Sequence, residues 1–481
     1  MADDRIGLRG DRGAVLGAMM LATALIAIDS TIIATAVPSV VRDIGGFHQF
    51  PWLFSIYLLA QAVSVPVYGK LNDMFGRKPV ILFGIALFLL GSIFCGAAWN
   101  IWLLIAFRVV QGLGAGAIQP TAITIVGDLY SVAERAKVQG YVASVWGVSS
   151  VVGPTLGGVF SEYVSWRWIF FVNVPLCLLA AWMIMRRFHE DRGRARAVVD
   201  YRGATLLTVG LTLLILGVLE GGQAWGWASP ASVAILGLGV LLLIAFGFVE
   251  RTAAQPVLPL WIFRRRLLVT SGQLSVCVGA ILMALSSYVP TYAQEVLGAG
   301  PLVAGLALAA LTLGWPIAAS QSGRVYLRFG FRVCALTGTT LVFAGSGLLL
   351  LLGRHSSLFE VAGYCTIIGL GMGLTSSPTL IAAQSSVGWA ERGVVTANNI
   401  FLRSVGSALG VAVFGAVANA VLGSGAVTPA GLTTAVHRIF IGIVIVAGLM
   451  VVLAALLPGD APRQKSPDRQ AAPGQDAAAP A

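Results

Sequence analysis

The sequence predicts an all-α polytopic membrane protein with two related six-helix halves and two further helices between them. Three observations lead there. Of 481 residues, 57% are hydrophobic and only 11% charged, whereas about a quarter of residues are charged in a soluble globule. Apolar stretches of bilayer-crossing length, about 20 residues, recur along the chain. One loop pattern also occurs twice: Gly69-Lys70-Leu71-Asn72-Asp73-Met74-Phe75-Gly76-Arg77-Lys78 returns as Gly323-Arg324-Val325-Tyr326-Leu327-Arg328-Phe329-Gly330-Phe331-Arg332. Both glycines, Phe75/Phe329 and the cations Lys70/Arg324 and Lys78/Arg332 stay in register. Asp73 does not; Leu327 stands in its place.

The spans fall near 14–38, 50–69, 79–98, 101–126, 138–160, 168–186, 203–220, 232–249, 267–293, 301–322, 332–352, 359–384, 394–421 and 437–457, fourteen in all. An even count places both termini on one side. Four cations lie in loops of the opposite side (Arg42, Arg167, Arg354, Arg438) and two inside spans (Arg108, Arg403). The rest share the side of the termini, which the positive-inside rule makes the cytoplasm. The expected organisation is a cytoplasmic N-terminus (1–13), an N-terminal six-helix bundle (14–186), cytoplasmic loops with two extra helices (187–266), a C-terminal six-helix bundle (267–457) and a disordered cytoplasmic tail (458–481) rich in Pro, Ala, Gln and Asp. Further echoes support the duplication: Gly112-Leu113-Gly114-Ala115-Gly116 returns as Gly369-Leu370-Gly371-Met372-Gly373, and Val152–Gly157 more weakly as Val405–Gly410.

The same features exclude other classes. A net charge of +11 would point to nucleic acid in a soluble chain. Here the cations sit in short loops, where topology and anionic lipid headgroups account for them; no nucleic-acid partner is expected. The first span carries Asp29 and lacks a small-residue cleavage site, so it does not read as a removable signal peptide. The five cysteines have no C-x-x-C spacing, and the four histidines lie scattered in loops or at span ends; neither set reads as a metal site. The one Gly-Lys pair, Gly69-Lys70, is followed by Leu71, which excludes a phosphate-binding loop and with it an intrinsic ATPase. No enzyme is expected and no cofactor.

Asp29 lies mid-span, where an acid costs about 3 kcal/mol on insertion scales. It is a candidate proton carrier, or a structural acid paired with a cation. Arg108 is the candidate partner, since both residues sit about 10–14 Å below the outer ends of their spans at 1.5 Å per residue. Burial disfavours a carboxylate's charge and a guanidinium restores it, so geometry must decide the pair's state. Gly112 and Gly116 are spaced for close helix approach. In the fifth span Gly153-Pro154 with Gly157-Gly158 combines small faces with a residue that removes a backbone hydrogen bond and permits a bend.

The Gly69–Lys78 loop resembles the signature G-x-L-x-D-R/K-x-G-R-R/K of the major facilitator superfamily, with Met74 where a cation is common. Arg108-Val109-Val110-Gln111-Gly112 resembles its helix-four motif, tied to proton coupling. Gly147 through Gly158 resembles the helix-five motif found in antiporters. Asp29-Ser30-Thr31-Ile32-Ile33 running to Pro38, and Trp166-Arg167-Trp168-Ile169-Phe170-Phe171-Val172-Asn173-Val174-Pro175, are similar to the fourteen-helix drug:proton antiporter family. One departure is Ala34, where asparagine is common five residues after the helix-one acid.

The resemblance implies the major facilitator fold, a substrate site between the two halves, and proton coupling through Asp29 and Arg108. It also implies a latch of the outward-facing state formed by Gly69, Asp73, Gly76, Arg77 and Lys78 with Asp128, and an antiporter hinge at Gly153, Pro154, Gly157 and Gly158. Some relatives carry further acids deep in later helices to handle divalent cations. This chain has none there, which favours neutral, monocationic or amphipathic substrates; Arg403 would favour an anionic group or else is structural. The expected function is export of hydrophobic or amphipathic drugs from the cytoplasm or inner leaflet, driven by the proton gradient. The partners are the substrate, protons and membrane lipids, and the location is the bacterial inner membrane. The alternative is a dedicated exporter of an endogenous lipid, antibiotic or siderophore.

Overall fold

The computed structural model describes residues 12–45, 51–190, 200–221, 225–253, 256, 259–299, 301–422 and 429–459. Nearly all of the N-terminal segment 1–13, residues 191–199 of the central loop and nearly all of the tail 458–481 lie outside the described residues.

The described chain is helical: α1 (Gly13–Ile44), α2 (Pro51–Phe75), α3 (Arg77–Gly96), α4 (Ile101–Leu129), α5 (Val132–Tyr163), α6 (Trp168–Phe171), α7 (Asn173–Arg187), α8 (Tyr201–Glu220), α9 (Pro230–Thr252), α10 (Arg266–Glu295), α11 (Pro301–Phe329), α12 (Phe331–Leu349), α13 (Leu358–Ser385), α14 (Arg392–Leu422) and α15 (Pro429–Ala455). Twelve of the described helical spans are long and apolar enough to cross a membrane. Two of the fourteen expected spans fall outside that set. They are α5 (Val132–Tyr163) and α8 (Tyr201–Glu220).

Helix starts follow local chemistry. Asn100 accepts from the Leu103 N–H at 2.9 Å, and Asp200 from the Gly203 N–H at 3.0 Å. Ser131 with Glu134 and Ser357 with Glu360 form capping boxes at α5 and α13. The expected single span 168–186 is broken after Phe171. Pro175 has no N–H for the Phe171 carbonyl and its ring crowds that carbonyl, so the chain makes the short α6 and then α7.

Packing repeats as the sequence does. In α4, Gly112 and Gly116 face the α2 backbone at Tyr57 and Gln61, while Gly114 faces α3 at Gly84 and Phe88. In α13, Gly369 and Gly373 face α11 at Leu311 and Trp315, while Gly371 faces α12 at Gly338 and Val342. A side chain at any of these positions would drive the helices apart. One apolar core joins α1, α3, α4, α5 and α7; a second joins α10 to α15. α8 and α9 pair with each other, and α8 packs on α2 and α14. α9 leaves Val233, Leu241 and Phe248 exposed, as a lipid-facing helix does. All five cysteines are free and buried.

Candidate functional site

Three polar assemblies interrupt this apolar body. The first is buried among α1, α3, α4 and α7. Asp29 and Arg108 are each 1% exposed, and Arg108 NH1 donates to Asp29 Oδ2 at 2.6 Å. The other carboxylate oxygen accepts from Gln111 Nε2 at 2.7 Å and Asn173 Nδ2 at 3.2 Å. Gln111 Nε2 also donates to Ser92 Oγ at 2.9 Å. Arg108 is held from every side: NH1 to Gln111 Oε1 at 2.7 Å, Nε to the Leu53 carbonyl at 3.1 Å, and its plane 4.1 Å from the Tyr57 ring centroid. Both charges are thus compensated, the condition for keeping an ion pair in a low-dielectric interior. Gln111, Asn173, Ser92 and Tyr57 escape sequence reading as ligands of Asp29 and Arg108. Gln111 and Asn173 stand inside recognisable motifs, but nothing in their spacing says that they converge.

The second assembly is a cavity of about 440 Å³ between helices of both cores, within the range of small-molecule sites. Ile26 and Ser30 of α1 line it, so the residue following Asp29 faces the cavity. Gln61 and Gln119, joined at 3.0 Å, Trp146 of α5 and Ile215 of α8 line it from the first side. Trp315, Asn399 and Arg403 line it from the second. Arg403 is therefore remote in role from the Asp29 cluster, where Arg108 already occupies the place of the cation.

The third assembly joins the ends of α2, α4 and α14. Arg77, 1% exposed, donates from Nε to Asp128 Oδ2 at 3.0 Å and lies 3.3 Å from Asp73 Oδ1. Asp73 reaches across to α14, accepting from the Gly393 and Val394 N–H groups at 3.0 and 2.9 Å. That is an acid on a helix N-terminus, favourable through both the free donors and the helix dipole. Arg392 NH1 donates to Asp128 Oδ1 at 3.0 Å, and the Arg77 guanidinium sits 3.9 Å from the Trp389 ring centroid. Gly69 lies against Ala397 and Gly393, and Gly76 turns the chain at φ 91°. Lys78 does not join this clasp: its Nζ donates to the Met185 carbonyl at 3.0 Å, and its N–H with that of Arg77 donates to Glu190. Arg392 and Trp389 are the partners that sequence reading missed.

The four residues of the expected hinge do not act alike. Gly153 meets Thr31 of α1, whose hydroxyl donates back to the Ser149 carbonyl at 3.0 Å, so α1 and α5 touch there. Gly157 is buried, whereas a side chain at Gly158 would meet nothing; Gly158 is not a close-packing position. The side chain of Pro154 lies outside the described residues. At the opposite end of the molecule Asp43 accepts from Trp166 Nε1 at 2.9 Å and Arg167 NH1 at 2.6 Å. These bonds hold its carboxyl below the ordinary carboxylate range.

Comparison with known proteins agrees with this anatomy. Residues 19–411 match the model of the Major Facilitator Superfamily. The chain is 35% identical over 403 residues to multidrug resistance protein 3 of Bacillus subtilis (strain 168), covering 84% of this chain and 78% of that one. It is 31% identical over 414 residues to the multidrug transporter protein MdtP of the same strain, covering 86% and 76%. A crystal structure of the human organic anion transporter MFSD10 (TETRAN) superposes with a TM-score of 0.66 at 15% identity, over 93% of this chain and 99% of that one, a likeness of fold alone. With the family's model spanning most of the chain and transporters among its relatives, this multi-pass membrane protein belongs to the Major Facilitator Superfamily and is a small-molecule transporter, not an enzyme.

Proposed function

We propose that the chain is a proton-coupled antiporter of the fourteen-helix drug:proton type, exporting hydrophobic or amphipathic molecules from the cytoplasm or inner leaflet of a bacterial inner membrane. In this reading α5 and α8 also span, and both termini are cytoplasmic. Bundles 14–186 and 267–457 alternate access to the cavity between them. The observation that carries it is the buried Asp29–Arg108 pair, one residue along α1 from a cavity-lining serine.

Protonation of Asp29 removes the charge that Arg108, Gln111 and Asn173 now hold. Breaking a buried ion pair through one partner costs about 3–5 kcal/mol, enough to shift how α1 sits against α4 and α7. Because α1 also lines the cavity and touches α5 at Gly153, that shift reaches the substrate site and the hinge. A potential of 100 mV supplies about 2.3 kcal/mol per charge moved, so one proton site suffices for modest accumulation. The Asp73–Arg77–Asp128 clasp, closed here onto α14, is the latch of the outward-facing state.

The test is gradient-driven uptake of neutral, cationic and anionic fluorescent amphiphiles in proteoliposomes. Wild type should accumulate at least one dye and lose it with a protonophore. Asp29→Asn should still bind but not accumulate. Equal accumulation by the mutant, or indifference to the pH gradient, removes the coupling role. A second reading, export of one endogenous lipid, antibiotic or siderophore, draws on Ile215: α8 reaches the cavity wall, as a lateral lipid entrance requires. Transport of a single member of a broad compound panel would favour it.

A further inference from the structure

The geometry points to a monoanionic amphiphile as the ligand of the central cavity, its acidic head on the Arg403 guanidinium and its body against the apolar wall. This rests on the reading of that cavity as the substrate site. Arg403 projects into the cavity from α14, about 16 Å along the helix from Arg392 at 1.5 Å per residue. A cation at that depth is costly unless something compensates it.

The other buried arginines are compensated. Arg108 has Asp29, Gln111 and the Leu53 carbonyl; Arg77 has Asp128, Asp73 and the Asn72 carbonyl. Arg135 donates from Nε to the Tyr130 carbonyl at 2.9 Å and from NH1 to Ser385 Oγ at 3.1 Å. Among the described residues the Arg403 guanidinium has no ion pair, no hydrogen bond and no aromatic ring beneath it, and no acidic residue lines the cavity. The polar groups one turn earlier are already paired, since Asn399 donates to Ser271 Oγ at 2.8 Å and accepts from Ser275.

Gln139 and Ser376 also belong to the cavity wall, and their side-chain Nε2 and Oγ atoms are buried without a hydrogen-bond partner. The Arg403 guanidinium suits an oxyanion, whose oxygens accept its hydrogen bonds in two-pronged fashion. The same cation repels an ammonium head. The remaining wall, with Trp146, Met283, Trp315 and Leu380, suits an alkyl or ring system.

The experiment uses the full chain in phosphatidylcholine nanodiscs, with empty discs as baseline. Three dansyl-labelled probes share one alkyl body and differ only in the head: carboxylate, trimethylammonium and methyl ester. Equilibrium binding is read by fluorescence anisotropy. Wild type should bind the carboxylate about ten- to a hundredfold more tightly than the ammonium, the scale of a charged hydrogen bond. Arg403→Gln should lose that margin while keeping the ester, and Arg403→Lys should keep part of it. The proposal is overturned if wild type prefers the ammonium, if Arg403→Gln keeps the carboxylate, or if Arg403→Gln loses the ester equally, which would make Arg403 structural. Adding phosphatidylglycerol to the discs separates two sources of the anionic head. Competition identifies a lipid and its absence a freely diffusing amphiphile, and both sustain the anion site. Binding needs no gradient, so a failure of proton coupling at Asp29 leaves this result standing, and the converse holds.

Discussion

The Gly69–Lys78 and Gly323–Arg332 loops share a backbone and differ in chemistry. Gly76 and Gly330 adopt φ 91° and 87° with ψ 163° in both, a region open in practice only to glycine. At Arg77's place the second loop has Phe331, stacked on Tyr326 with ring centroids 4.6 Å apart. At Asp73's place it has Leu327, 57% exposed. The first loop closes onto α14 through ions and helix-end donors. The second meets the start of α5, where the Tyr326 hydroxyl donates to the Val132 carbonyl. Duplication preserved what the turn requires of the backbone, while the charged clasp was kept on one side only. A clasp of ions and hydrogen bonds can be released without unpacking a core, as the proposed cycle requires of this joint.

Five substitutions break or sharpen this contrast. Arg77→Ala should have the largest effect, leaving Asp128 to Arg392 and Asp73 to the α14 N–H groups and the more distant Lys70. A loss of about 3–5 kcal/mol from the closed arrangement is expected, read as a change in distance between spin labels on α4 and α14. Asp73→Asn keeps the shape but removes the charge. It should cost about 1–3 kcal/mol and raise the labelling rate of a cysteine introduced at Ala397; a rate equal to wild type would mean that Gly69 packing alone closes the joint. Gly76→Ala and Gly330→Ala should each cost about 1–3 kcal/mol. Their midpoints of thermal unfolding should fall together, and a large difference would show that the two turns are not equivalent. Leu327→Asp should change stability by no more than about 0.5 kcal/mol and should not alter spin-label distances, since that position is 57% exposed.

Much of the fold was legible because its signals are local or periodic. Apolar length, charge alternation and the paired Gly112–Gly116 and Gly369–Gly373 stripes each survive in one dimension, and the stripes proved to be the contacts that seat α4 on α2 and α3, and α13 on α11 and α12. The break in the sixth span was also written in Pro175, but an otherwise unbroken apolar run concealed it. Asp29 and Arg108 stood out by their cost in lipid, and equal depth brought them within reach of each other.

Their surroundings were a different matter. Gln111, Ser92 and Asn173 come from three helices, and a neutral polar residue in an apolar span looks the same whether it points at a carboxylate or at its own helix. Arg392 and Trp389 lie more than 250 residues from their partners Asp128 and Arg77. The sequence by itself determined a helical, duplicated membrane chain and the identity of its costly buried charges, because hydrophobic length and insertion cost are properties of single segments. Only the tertiary structure decided which of those charges are compensated. That depends on which helix faces meet, and it left Arg108 enclosed by partners and Arg403 facing an open cavity.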